Sequence, residues 1–163
     1  MSFASRVPSF TPARPEEILK PAKPWFVVLT LVLAFLANTL PTTGVALALK
    51  PDFVALTLLY WCIQAPRYVG VGVSWTLGLV MDVVDATLFG QHALAYVVAI
   101  YGAQVLRVRV LAFPMVEQML HVLGLAVVAA FLVVVLNLLL GAPLPGLPAA
   151  LSPLLAAAAW GPL

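Results

Sequence analysis

A chain of 163 residues that is 64% hydrophobic and 9% charged, with a mean hydropathy of +1.12, is too poor in charge for a soluble fold, since ordinary soluble domains carry about 25% charged residues. Its net charge of +2 leaves no electrostatic footprint for nucleic acid. The apolar runs are continuous rather than alternating, which excludes the strands of an outer-membrane barrel and leaves membrane helices.

Residues 1–24 differ from the rest. They hold four of the eight basic residues (Arg6, Arg14, Lys20, Lys23) and five prolines. The stretch PEEILKP allows one helical turn at most, so this segment reads as a mobile, weakly basic tail. No small-residue cleavage site follows cleanly, so it does not read as a secretory signal.

Six apolar spans follow, all within one domain over residues 25–163. The first runs from Trp25 to Leu40 and ends at PTTG, with Val45 to Leu49 compatible with a kinked continuation. Lys50-Pro51-Asp52 is a break, and Asp52 is placed to cap the next helix. That second span, Phe53 to Ala65, covers only about 20 Å, less than a ~30 Å hydrocarbon core. The third is Tyr68 to Val84, and the fourth runs from His92 to Leu106, ending at RVR. Residues 108–118 are expected to form the longest internal connection. The fifth span is Met119 to Leu140; GAPLPGLP must then turn or re-enter, and a sixth run, broken by Pro153, reaches Leu163. Cys62 sits inside an apolar run, cannot form an intrachain disulfide and reads as a small buried hydrophobe.

Orientation follows from the basic residues. With the N-terminus in the cytoplasm, the tail, the 66–67 turn and the 107–118 connection hold seven of the eight Lys/Arg residues, and only Lys50 falls outside. Trp25, Tyr60, Trp61 and Trp160 then lie near the inner interface.

Polar residues inside the spans are the candidates for function. Asp82 lies fifteen residues beyond Arg67, about 22 Å along a helix and still in hydrocarbon, whereas Asp85 reaches the outer surface. Gly70, Ser74, Gly78 and Asp82 recur every four residues and share one helix face. Small residues in that register let a second helix approach closely. The face reads as a packed seam with Asp82 as its polar end, either internal or against another protein; the plainer alternative is that Asp82 only marks an interface. Asn38, Asp52, Asp85, His92 and Asn137 fall at similar depth and would form one outer polar layer: a structural network, an outward pocket or a docking site.

Chemistry is mostly absent. His92 and His121 fall at opposite faces, Glu117 and His121 read as an interfacial pair, and there is no phosphate loop or GxSxG. Asp82, Asp85 and His92 lack a recognised metal-ligand spacing. No catalytic, cofactor or metal site is expected, and the chain does not read as an enzyme.

KPDFVALTLLYW at 50–61, then Pro66, then GLVMDVVDATLFGQHALAY at 78–96 resemble the MreD family, membrane subunits of the bacterial rod-shape machinery. In that family a Lys/Arg-Pro-Asp opens a short helix ending in Tyr-Trp, and a Gly-rich span reaches an Asp and an LGQHAL-type turn. One departure is the end at WGPL, where relatives continue into a short basic segment. The resemblance implies an all-α, six-helix fold similar to the substrate-binding subunits of energy-coupling-factor transporters, in the bacterial inner membrane. It implies a non-enzymatic scaffold that binds MreC and helps couple MreB filaments to peptidoglycan synthases. RodA, a class B penicillin-binding transpeptidase and RodZ would be further members of that complex, with membrane lipid around it and no nucleic acid. The alternative reading is a substrate-binding membrane subunit of a vitamin-type transporter.

Overall fold

The computed structural model describes residues 23–40, 51–142 and 151–160. Six helices lie among them: α1 Pro24–Thr39, α2 Phe53–Gln64, α3 Val71–Val84, α4 Gln91–Ala112, α5 Met115–Leu140 and α6 Ser152–Trp160. The tail over residues 1–22, the stretch 41–50 with Lys50, the turn over 143–150 and the last three residues lie outside the described residues.

Local chemistry sets the boundaries. Pro24 opens α1, where its missing N–H costs nothing. Asp52 caps α2, its side chain accepting from the Ala55 N–H. Gly141, at φ +68°, ends α5 in the left-handed conformation that glycine takes without strain. Pro153 falls in the first turn of α6, so it starts that helix rather than breaking it.

Three expected boundaries are corrected. The fourth helix does not stop at Leu106 but runs to Ala112, and the fifth begins at Met115 rather than Met119. The expected long connection over 108–118 shrinks to Phe113 and Pro114. Nothing between Arg107 and Ala112 breaks a helix. Pro114 is the N-cap of α5, and Glu117 in its first turn complements the helix dipole. The third helix starts at Val71 rather than Tyr68, because Pro66 to Tyr68 form a turn.

α4 is the centre of the bundle. It packs on α2, α3 and α5, while α5 packs on α6, and α6 returns to α2. Helices α2, α4, α5 and α6 form a ring, with α1 laid on the outside of α2 and α3 on the outside of α4. Val54, Leu58, Ile63, Ile100, Ala103, Val110 and Val122 are almost wholly buried in the core.

Contacts at the helix ends show that helices consecutive in the chain alternate in direction, so that α2 and α4 run parallel. At one end, ring contacts run from Trp25 to Phe26, Trp61, Tyr60 and Trp160, joining α1, α2 and α6. Trp61 Nε1 donates to Thr30 Oγ1 at 2.8 Å, and Trp160 Nε1 to Gln118 Oε1 at 3.4 Å. Arg107 Nε donates to the Ile63 carbonyl at 2.7 Å, tying α4 to the last turn of α2. Lys23, Arg67, Arg107 and Arg109 therefore share this end, which we call the basic end. Asp52, Asp82 and Asp85 lie at the other.

Large apolar side chains cover the outside. Val28, Val32, Leu33 and Leu36 on α1, Tyr101, Val105 and Val108 on α4, and Phe131, Leu138 and Leu139 on α5 are all exposed. Water would not tolerate so continuous an apolar surface; lipid does. α4 and α5 are long and apolar enough to cross a membrane unaided, whereas α1, α2 and α3 are shorter apolar helices.

Candidate functional site

The end opposite the basic residues carries a hydrogen-bonded polar layer built around two aspartates. Asp82 sits in the last turn of α3 and its side chain is fully buried. Its Oδ2 accepts from the Gly90 N–H at 2.8 Å. Its Oδ1 accepts from the His92 N–H at 2.8 Å, from His92 Nδ1 at 2.9 Å and from Thr87 Oγ1 at 3.3 Å. The main chain joins in, since the Asp82 carbonyl accepts from the Thr87 N–H at 3.1 Å.

The arrangement answers a general problem of helix ends. The first N–H groups of α4 have no partner within the helix. Gly90, its N-cap, has no side chain to accept from them. Asp82 supplies the missing acceptor from the preceding helix, and the full negative charge suits the positive end of the α4 dipole. Charge-assisted bonds of this kind are worth about 1.5–3 kcal/mol each. Gly90 itself adopts φ +95° to turn the chain into α4.

The approach of α3 to α4 depends on small residues. A Cβ on Gly78 would stand 2.3 Å from Ala93 Cα and 2.5 Å from its backbone nitrogen. Ser74 is fully buried one turn earlier, its hydroxyl donating back to the Val71 carbonyl at 2.8 Å. Gly70 is half-buried, 3.5 Å by the same measure from Gln104 Nε2. The Gly70, Ser74, Gly78 and Asp82 face is thus filled by the following helix of the same chain.

The second aspartate joins α1, α2 and α4. Asp52 Oδ1 accepts from Ala55 N–H at 3.0 Å and from Asn38 Nδ2 at 2.9 Å. Asn38 Oδ1 accepts in return from the Phe53 N–H at 3.1 Å. Asp52 Oδ2 accepts a short bond from the Tyr96 hydroxyl. Tyr96 is almost fully buried in α4, and its ring meets that of His92 edge-on at 5.9 Å. Through Tyr96 and His92 the two aspartate clusters connect across α1, α2, α4 and α3.

A family model described as rod shape-determining protein MreD matches residues 20–145. The chain belongs to the MreD family. It is 36% identical over 78 residues to the rod shape-determining protein MreD of Haemophilus influenzae, a match covering 47% of this chain and 48% of that protein. The chain thus spans about half the length of that relative. No solved structure matches. The family's own description names rod shape determination, and the exposed apolar surface with two long apolar helices fits a membrane location.

Within this MreD family member the candidates from sequence do not all meet. Asn38, Asp52, Asp82 and His92 belong to the linked network. Asp85 is exposed at the C-cap of α3. Asn137 is buried near the end of α5, where its carbonyl accepts from the Ala142 N–H at 2.9 Å, and no hydrogen bond joins its side chain to either aspartate. Among the described residues, no three His, Cys, Asp or Glu side chains converge as a metal site requires. Tyr96 and Thr87 are network members that sequence reasoning misses. Tyr96 carries a signal, because it follows His92 by four residues on the same helix face; Thr87 carries none, because its role depends on the fold of the 85–90 turn.

Proposed function

We propose that this MreD family member is a non-enzymatic, multi-pass scaffold of the bacterial inner membrane. Its proposed role is to bind MreC and help couple MreB filaments to the synthases RodA and a class B penicillin-binding transpeptidase, with RodZ in the same complex. The basic end faces the cytoplasm, together with the N-terminal tail, in keeping with the excess of Lys and Arg on cytoplasmic sides. All six helices contribute to crossing, as in the substrate-binding subunits of energy-coupling-factor transporters. The shorter helices then sit where the bilayer thins or where longer neighbours shelter them.

The observation that carries this reading, beside the family match, is the linked polar layer. It commits its carboxylate oxygens to holding α1, α2, α3 and α4 to one another. Acceptors engaged in this way make a rigid body rather than a chemical centre. The face that α4 fills is closed to a partner, so the single span of MreC meets an outward apolar face of the body. Such a body would hold the periplasmic part of MreC at a set orientation.

A pull-down of the tagged full-length protein in mild detergent, with mass spectrometry of proteins and small molecules, tests the proposal. Stoichiometric MreC with no retained metabolite is expected. Recovery of a tightly held small molecule with an ATPase module, and no MreC, would replace the scaffold with a transporter subunit.

A further inference from the structure

The helical hairpin of α4 and α5 carries a groove that the polar layer does not use. Gly102 brings the two helices together, since a Cβ there would stand 2.7 Å from Leu125 Cδ2. An open groove lies beside this contact. Its volume is about 410 Å³, and it is lined by Leu106 of α4 and by Leu120, His121, Gly124, Leu125 and Val128 of α5. Gly124, an exposed member of the lining, has open space where a Cβ would stand. The lining is aliphatic apart from His121.

Charge is confined to the mouth. Arg109 follows Leu106 by three residues and so stands on the same flank of α4, one turn nearer the basic end. It is exposed and makes no hydrogen bond or ion pair among the described residues. Arg107 differs, because its Nε is committed to the Ile63 carbonyl. His121 is fixed by a 2.7 Å contact of its Nδ1 with the Glu117 carbonyl and by stacking on Phe113 at 5.6 Å. Glu117, exposed in the first turn of α5, offsets one of the two guanidinium charges. The mouth therefore keeps one net positive charge, reinforced by the positive end of the α5 dipole.

We propose that this groove holds one acyl chain of an anionic phospholipid, with the lipid phosphodiester at Arg109. A glycerophospholipid joins an aliphatic chain to a single phosphodiester charge, and the groove divides its surface in the same way. Guanidinium is the side-chain group best matched to phosphate oxygens.

The test uses the purified full-length protein in mild detergent. It is offered equal amounts of phosphatidylglycerol and phosphatidylcholine with the same acyl chains, and bound lipid is read by native mass spectrometry. One phosphatidylglycerol should be retained in preference to phosphatidylcholine. Arg109→Gln should lower that preference roughly fivefold, the effect of one basic residue at an anionic lipid surface. Gly124→Leu should fill the groove and remove retention of both lipids. Unfolding temperatures without added lipid separate loss of the site from loss of the fold. Should Gly124→Leu unfold, the exposed Arg109→Gln variant decides. Equal retention of the two lipids by the unaltered protein, or an unchanged preference in Arg109→Gln, would overturn the proposal.

Discussion

Gly78 lies against the backbone of Ala93, so close that a single methyl group on Gly78 would fall 2.3 Å from Ala93 Cα. No side-chain rotation relieves that contact, because the obstacle is main chain. Gly78→Ala should therefore separate α3 from α4 and lower stability by about 1–3 kcal/mol or more, the range for overpacked cores. Gly72, on the exposed side of the same helix, has open space around it. Gly72→Ala should be neutral or stabilise by up to about 1 kcal/mol. Thermal unfolding of the two variants in one detergent checks the contrast; similar effects from both would contradict the packing described.

Asp82 accepts from two backbone N–H groups and two side chains. Asp82→Asn keeps one acceptor oxygen and should cost about 1.5–3 kcal/mol. Asp82→Leu removes both and leaves the first amides of α4 unpaired, at a greater cost. Hydrogen exchange at the Gly90 and His92 amides reads the loss directly. Protection in Asp82→Leu equal to that of the unaltered protein would show that the aspartate is merely interfacial.

Tyr96 and Asn38 reach the same carboxylate from different helices. Tyr96→Phe and Asn38→Ala should each destabilise by about 1–2 kcal/mol. Because Asp52 is shared, the double variant should depart from the sum by about 0.5 kcal/mol or more. Strict additivity in a thermal double-mutant cycle would argue against a coupled network.

At Gly90 the backbone itself sets the requirement. Its φ of +95° is strained for any residue with a Cβ, so Gly90→Ala should cost about 1–2 kcal/mol. No side chain crowds the position, so unfolding should show the loss while the α3–α4 packing, followed by a cysteine pair placed across it, stays intact.

Much of this architecture is legible in the amino-acid sequence. Proline, glycine and the Lys-Pro-Asp break mark the helix limits, and four-residue spacing puts Gly70, Ser74, Gly78 and Asp82 on one face. Spacing alone does not say what fills that face, because a small-residue stripe looks the same whether its neighbour is internal or foreign. The RVR stretch misleads about the length of α4, because its charge suggests the end of a helix. Arginine is a good helix former, and Arg107 stays helical while bonding the end of α2. The division of the polar layer into two aspartate clusters is illegible for a different reason. It depends on how far each helix is rotated about its own axis, which only packing decides.

The backbone donors to Asp82 follow it in the chain by eight and ten residues. A carboxylate that enters the bilayer before those amides exist lacks its two backbone donors. Insertion of α3 and α4 together as one hairpin would supply both donors as the turn closes. Asp52 has Asn38 and Ala55 nearby in the chain, whereas its third partner, Tyr96, is forty-four residues downstream. By separation along the chain, the α3–α4 junction is a local unit and the link from α2 to α4 a distant one.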